Sequence, residues 1–109
     1  IRFERDALAL ASAPDVDIVA EVIGGSEGIA RQLVETALKN GKSVVTANKE
    51  LLAKHGAQLR AAAEKAGVDL FIEGSVGGGI PLIKPLKESL AGNKIEQLMG
   101  IVNGTTNFI

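Results

Sequence analysis

The stretch DIVAEVIGGSEGIARQLVETALKNGKSVVT, residues 17–46, contains a strand, a helix and a second strand in a row. Residues 17–23 form a short, β-branched and almost continuous apolar run, and Gly24-Gly25 ends it. Such a run is typical of a strand that is buried on both faces of a parallel sheet. Residues 43–46 predict a second short strand of the same kind. The stretch therefore predicts two parallel strands joined by a helix.

Helix start and stop residues mark the connecting segments. Ser26 can cap the first helix, whose apolar positions recur at helical spacing until Asn40-Gly41. Asn48 can cap a second helix that runs to Gly67, and residues 68–72 predict a third strand that ends at Glu73. Strands and helices that alternate with short connections indicate right-handed crossovers in a parallel sheet. The fold class is therefore α/β, and half of a doubly wound fold is the simplest interpretation.

The last third of the chain follows a different pattern. Ile80-Pro81 opens a predicted helix that continues to Gly92, and residues 94–102 alternate between two faces with a period of two. This alternation favours an antiparallel sheet with one exposed face, and so a second domain. We expect residues 1–79 to belong to the α/β domain and residues 80–109 to begin an α+β domain.

Composition excludes several classes of function. The chain has 109 residues, 46% hydrophobic and 23% charged, with 12 basic and 13 acidic residues and three aromatic ones, all Phe. A net charge of -1 without Trp or Tyr is a poor basis for nucleic-acid binding. No Cys and a single His, His55, exclude thiolate and His-rich zinc sites.

The apolar runs and the chain termini bear on location and completeness. No run approaches the roughly 18 apolar residues of a membrane span, and the charged start is not a signal peptide. We therefore expect a cytoplasmic protein with no membrane partner. Because the only Met is Met99 and the chain stops directly after an Asn/Thr cluster, we expect an internal fragment of a longer protein.

The unusual residue clusters all follow strand ends. They are Gly24-Gly25, residues 46–49 and residues 73–80. Ligands of open α/β sheets bind outside the carboxyl ends of the strands, so these clusters are the candidate site. For Gly24-Gly25 a tight turn into the helix remains an equal alternative to close approach of a cofactor.

Two charged residues stand out at these strand ends. Lys49 comes just after the Asn48 cap, where a cation opposes the helix dipole by roughly 0.3–1 kcal/mol. This position suits proton transfer or contact with an anionic ligand, although a solvated lysine is a substantial alternative. Glu21 lies inside an apolar strand, where an unpaired carboxylate is costly, so we expect it to have a partner near the site.

Two further segments carry polar groups. A carboxylate at Glu73 followed by a glycine-rich loop can turn several carbonyl oxygens toward one point, as hard cations require. A loop that only lets the chain cross between domains is the favoured alternative on spacing alone. Residues 103–107 offer hydroxyls and amides to a polar substrate or phosphate, and a simple helix cap is equally compatible.

Four motifs together resemble a known family. They are VIGG at 22–25, VVTANKELLAKHG at 44–56, EGSVGGGIPLIKPL at 73–86 and GIVNGTTNFI at 100–109. In this order and spacing they resemble the homoserine dehydrogenases, which interconvert homoserine and aspartate semialdehyde with NAD(P). The resemblance implies a Rossmann-like domain, a catalytic domain with a mixed sheet, a homodimer and a place in the synthesis of threonine, methionine and isoleucine.

The resemblance also implies roles for individual residues. Lys49 would lie at the nicotinamide and the substrate and take part in proton transfer. The positions expected along the cofactor are Gly24, Gly25, Thr46, Asn48, Lys49, Gly104 and Thr105. Gly104 and Thr105 are also expected near the substrate. The family's sodium ion would be bound through the loop that carries Glu73, Val76, Gly78 and Ile80.

The chain also departs from the family pattern. It has no G-x-G-x-x-G phosphate loop, and the glycines at 77–79 stand in the wrong context to replace one. The family's substrate-binding acidic residues and second catalytic lysine are expected after Ile109. The middle of an active site is therefore expected here, and a catalytically inactive Rossmann-like binding or regulatory module is the alternative.

Overall fold

The computed structural model describes residues 3–101. Its sheet has three parallel strands in the order β1-β2-β3. The strands are β1 (Ile18–Glu21), β2 (Ser43–Thr46) and β3 (Leu70–Phe71). The helices between and before them are α1 (Ala7–Ser12), α2 (Ile29–Lys39) and α3 (Lys49–Ala66). This arrangement confirms the predicted α/β fold with a parallel sheet and flanking helices.

Helix α1 is an element that the sequence analysis did not predict. Asp6 caps its first turn, because a carboxylate oxygen accepts hydrogen bonds from the backbone N–H groups of Leu8 and Ala9. Asp before an apolar run is a recognisable helix start, so the sequence did contain this indication. The helix packs against α2 and buries Ala11.

Helix α2 ends where it was predicted to end but is not capped by Ser26. Gly28, with φ 72°, occupies the N-cap position and no side chain caps the helix there. The Ser26 hydroxyl instead donates to Glu50 of α3, so the serine joins two helices. At the other end Asn40 is the C-cap, and Gly41 has the left-handed backbone, φ 70°, that this kind of helix end favours.

Helix α3 agrees with its predicted limits. Asn48 caps it through a hydrogen bond from the Leu51 N–H to its side-chain oxygen, and Gly67 ends it in the left-handed conformation. The 18 residues between them are the longest helix of the described part. Neither α3 nor any other helix within residues 3–101 is long and apolar enough to cross a membrane.

The core lies on one face of the sheet, contrary to the expectation that the strands are buried on both faces. Along β1 the residues alternate, so that Val19 is buried while Ile18 is 61% exposed. Val45 and Phe71 lie opposite each other on neighbouring strands and are also exposed. No element among residues 3–101 covers this second face. The buried core consists of Ala11, Val19, Leu33, Val34, Ala37, Leu38, Val44, Leu51, Leu59 and Ala63.

The segment after β3 differs from its prediction in two ways. A short 3-10 helix, Glu73–Ser75, leads into a loop, and helical residues begin again at 83 and continue as a π-helix at Pro85–Ser89, so the predicted helix begins after Pro81 and ends before Gly92. Residues 94–101 form no strand, although their pattern alternates. A strand needs a partner for its backbone groups, and none lies beside this segment in the described part of the chain.

Candidate functional site

An open cleft of about 890 Å³ lies at the carboxyl end of the sheet. Its volume is within the range of small-molecule and cofactor sites. Its walls are the turn after β1, the start of α3 and the loop after β3, as expected for an open α/β sheet. The residues that line it are Gly24, Gly25, Ala47, Asn48, Lys49, Glu50, Gly74, Ser75, Val76, Gly77, Gly78, Gly79 and Ile80.

The cleft gathers seven of the eleven residues for which the family resemblance implies a role. They are Gly24, Gly25, Asn48, Lys49, Val76, Gly78 and Ile80. Thr46 and Glu73 lie beside the cleft without lining it. Gly104 and Thr105 lie outside the described residues, so their expected contacts stay predictions.

The turn after β1 has a backbone that favours glycine. Gly24 and Gly25 have φ angles of 90° and 81°, in the left-handed region that other residues rarely adopt. A Cβ atom built on either residue would meet no atom within 4 Å. Glycine is therefore needed here for the shape of the turn, and the space beside the turn is open to a ligand.

Lys49 is the cation of the cleft. It is the first residue of α3 and its side chain is exposed. Within residues 3–101 no hydrogen bond or ion pair engages its ammonium group. The adjacent Glu50 does not pair with it, because that carboxylate accepts hydrogen bonds from Ser26 and Lys54, which lower the pKa of Glu50. Lys49 is thus available to an anionic or proton-accepting ligand.

Glu21 is a buried acid directly behind the glycine turn. Its side chain is fully buried, and Oε1 accepts hydrogen bonds from the N–H groups of Ile23 and Gly24 at 2.7 and 3.0 Å. Oε2 accepts a hydrogen bond from the Thr46 hydroxyl at 2.7 Å. Burial alone raises the pKa of Glu21, but the hydrogen bonds, with that of Thr46 the strongest, outweigh burial and lower it. The expected partner of Glu21 therefore exists, and the acid is ionised at neutral pH.

Thr46 and Asn48 continue this set of hydrogen bonds to the other wall of the cleft. The Thr46 hydroxyl accepts from the Asn48 N–H at 3.0 Å while it donates to Glu21. The Asn48 amide nitrogen, Nδ2, donates to the Gly25 carbonyl oxygen at 2.6 Å. Thr46 thus uses its hydroxyl inside the protein, whereas Asn48 both lines the cleft and holds the glycine turn.

Glu73 caps the chain that follows the glycine loop. Its carboxylate accepts hydrogen bonds from the N–H groups of Leu82, Ile83 and Lys84 at 2.6, 3.0 and 2.8 Å. Partial desolvation raises the pKa of Glu73, but these backbone hydrogen bonds outweigh it and lower the pKa. The carboxylate thereby closes the loop 74–81 into a compact turn.

Three backbone carbonyl oxygens of this loop fit the expected metal site. The carbonyl oxygens of Val76, Gly78 and Ile80 accept no hydrogen bond from any described residue, so they are free to bind a hard cation. The Glu73 carboxylate has a competing use as a cap. Across residues 3–101 there is no group of three or more His, Cys, Asp or Glu side chains that could hold a metal ion. Backbone oxygens would therefore have to supply most of the ligands.

Comparison with known proteins identifies the family. A family model described as "Homoserine dehydrogenase, NAD binding domain" matches residues 2–73, and one described as "Homoserine dehydrogenase" matches residues 81–109. The chain belongs to the homoserine dehydrogenase family. The NAD-binding match contains the three strands, the glycine turn and Lys49.

Individual homoserine dehydrogenases are similar over nearly the whole chain. The chain is 62% identical to that of Corynebacterium glutamicum over 105 residues, which are 96% of this chain and 23% of the relative. It is 54% identical to that of Bacillus subtilis over 96 residues, 88% of this chain and 22% of the relative. The chain therefore spans about a quarter of the length of the curated relatives that it matches.

Solved homoserine dehydrogenase structures have the same fold. One from Thiobacillus denitrificans superposes with a TM-score of 0.89 at 52% identity, over 95% of this chain and 24% of that one. A hyperthermophilic archaeal homoserine dehydrogenase in complex with NADPH superposes with a TM-score of 0.71 at 30% identity, over 83% of this chain and 28% of that one. The described fold is therefore the Rossmann-like NAD-binding fold of this family.

Proposed function

We propose that this chain is part of a homoserine dehydrogenase and contributes one side of its active site. The activity is the NAD(P)-dependent interconversion of L-homoserine and L-aspartate 4-semialdehyde. The observation that carries the proposal is the cleft, in which an unpaired lysine lies beside an open glycine turn within the part of the chain that matches an NAD-binding domain. The NADPH bound to the archaeal relative supports the same choice of cofactor.

The residues of the cleft have complementary tasks in this proposal. NAD(P), when bound, supplies or accepts the hydride. Gly24 and Gly25 let the backbone approach the cofactor closely because no side chain fills the space beside the turn. The Lys49 ammonium gives a proton to the carbonyl oxygen of the semialdehyde as the alcohol forms, and takes it back in the reverse direction.

The remaining cofactor positions and the domain limits belong to the same proposal. Asn48 contacts the cofactor from the start of α3, and Thr46 supports it from behind. Gly104 and Thr105 bind the cofactor near the junction of the two domains. We place the NAD(P)-binding domain in residues 1–79 and the start of the catalytic domain in residues 80–109.

A sodium ion completes the proposed site. The carbonyl oxygens of Val76, Gly78 and Ile80 supply ligands, and Glu73 holds the loop that carries them. When bound, the ion would add positive charge at the edge of the cleft.

The proposal extends to the oligomeric state, the cellular location and the metabolic role of the protein. It is a cytoplasmic homodimer in the synthesis of amino acids derived from aspartate, with a small-molecule substrate and without nucleic-acid or membrane partners. The family resemblance supports these statements.

The experiment compares Lys49→Ala with Lys65→Ala in the full-length protein. Homoserine oxidation is followed by NAD(P)H absorbance, in NaCl and in choline chloride at equal ionic strength. We expect Lys49→Ala to lower kcat by a factor of about 10² to 10⁴, typical of a lost proton donor, with cofactor affinity nearly unchanged. Lys65, exposed at the far end of α3, is the matched control.

Three outcomes contradict parts of the proposal. Normal turnover in Lys49→Ala removes this lysine from the proton transfer. Equal activity in both salts removes the sodium ion. Cofactor binding without any oxidation of homoserine by the wild-type protein favours the alternative, an inactive binding or regulatory module.

A further inference from the structure

We propose that Glu21 is a positioning residue that holds the glycine turn and the start of α3 at the separation that a dinucleotide requires. The inference rests on the proposed function, since it names what shapes the cofactor cleft. Glu21 touches no ligand in this proposal. It acts through Thr46 and through the turn after β1.

The first observation is that few interactions fix the glycine turn. Within residues 3–101, the backbone of residues 22–25 takes part in three hydrogen bonds outside the sheet. Two are the donations from Ile23 and Gly24 to the Glu21 carboxylate, and the third joins Gly25 to Asn48. A turn with two glycines is otherwise free to adopt many conformations. Glu21 and Asn48 therefore determine its shape.

The second observation is that the same carboxylate reaches the opposite wall. Its Oε2 accepts from Thr46 at the end of β2, and Thr46 accepts from the N–H of Asn48, the cap of α3. Asn48 then returns to Gly25 through Nδ2. The hydrogen bonds thus close a ring between the ends of two neighbouring strands, and the segments that follow both strands line the cleft.

The third observation is the cost of the arrangement. Glu21 lies on the core face of β1, beside Val19, where an apolar residue would pack without desolvating a charge. The carboxylate has three donors, and no buried side-chain oxygen or nitrogen in the described part of the chain lacks a partner. All three donors lie at the edge of the cleft and none lies in the apolar core. A role in shaping the cleft explains both the charge and its location.

The experiment uses Glu21→Gln, Thr46→Val and the double variant in the full-length protein. Gln keeps the size of the side chain but replaces the charged acceptor of the Thr46 hydroxyl by a neutral amide, and Val removes that hydroxyl. Each change removes the hydrogen bond between the Thr46 hydroxyl and the Glu21 carboxylate from one side. Leu59→Ala is the control, because Leu59 is buried in α3 about 16 Å along the helix from Asn48.

The KM for NAD(P) and its Kd, measured by titration, are expected to rise about tenfold in each single variant, as for one lost hydrogen bond. We expect kcat to fall by a smaller factor than Kd rises, because the Lys49 side chain itself is unchanged. The double variant should bind NAD(P) no more weakly than the single variant with the higher Kd, since both single substitutions remove the same hydrogen bond. Leu59→Ala should lower the thermal midpoint without changing KM or Kd.

Three results would overturn the inference: unchanged cofactor Kd in Glu21→Gln, effects that multiply in the double variant, or an equal rise of KM in Leu59→Ala. Failure of the proposed function gives a different result, because wild-type protein would then bind NAD(P) without oxidising homoserine. Comparing the NAD(P) Kd of wild-type protein and Glu21→Gln would still decide the role of Glu21. Wild-type protein that binds no NAD(P) refutes both.

Discussion

Replacing Asn48 by Ala tests how one side chain joins helix α3 to the glycine turn. Asn48 is only 5% exposed, and its Oδ1 accepts from the Leu51 N–H at 3.1 Å. Its Nδ2 donates to the Gly25 carbonyl oxygen at 2.6 Å. Alanine removes both interactions and leaves the two backbone groups without these partners.

The expected magnitude follows from these two interactions. Loss of an N-cap side chain costs about 1 kcal/mol. Loss of a largely buried hydrogen bond costs about 1 kcal/mol more. Local opening of the first turn of α3 should therefore become easier by about 2 kcal/mol, which corresponds to about thirtyfold faster amide exchange.

Hydrogen exchange of the full-length protein, read by mass spectrometry on peptides that cover residues 47–56, measures this change. Asn40→Ala is the matched control, because Asn40 is exposed and its side chain donates only to the Thr36 carbonyl oxygen of its own helix. That variant should accelerate exchange at the end of α2 less than about threefold. Asn48→Asp keeps an acceptor for Leu51 and loses the donor to Gly25, so the first turn of α3 should stay protected while cofactor affinity falls.

The reasoning is refuted if Asn48→Ala exchanges no faster over residues 47–56 than the wild-type protein. It is also refuted if Asn40→Ala has an equal effect at its own helix end. Acceleration spread evenly over all peptides would mean that Asn48 supports the whole domain and not this junction.

Two further predictions concern the described structure. Lys42 is buried, and its ammonium group donates to the carbonyl oxygens of Ala13 and Val16. Lys42→Met should therefore lower the free energy of unfolding, measured by urea titration, by about 1–3 kcal/mol. The control Lys39→Met changes an exposed lysine and should cost under about 1 kcal/mol. The hydrogen bonds to Glu73 lower its folded pKa below its ordinary value of 4.5, so this carboxylate stabilises the protein fully above about pH 4.5 and less as pH falls through the lowered pKa. Thermal unfolding between pH 6 and pH 3 should therefore show a steeper acid loss in the wild-type protein than in Glu73→Gln, and parallel curves would contradict the cap.

Local sequence signals predicted the elements that depend on near neighbours. Residues 43–46 are β2 as expected, and α3 begins after Asn48 and ends at Gly67, because caps and apolar spacing act within a few residues. The strand expected at residues 94–102 is absent over its described part, since alternation alone supplies no partner for the backbone. Ser26 could not be separated by sequence from a helix cap, because its partners Glu50 and Lys54 lie more than twenty positions away.

For the candidate site, the sequence by itself determined which segments line the cleft. Gly24-Gly25, Lys49 and the glycine loop each follow a predicted strand, and the carboxyl ends of parallel strands meet at one edge of a sheet. Tertiary structure alone decided how these segments are held. The bond between Glu21 and Thr46, and the cap that Glu73 forms on the chain at Leu82–Lys84, depend on which donors from other segments reach each carboxylate. Sequence spacing does not encode the distance between such a donor and the carboxylate, because that distance arises only when strands and loops pack together.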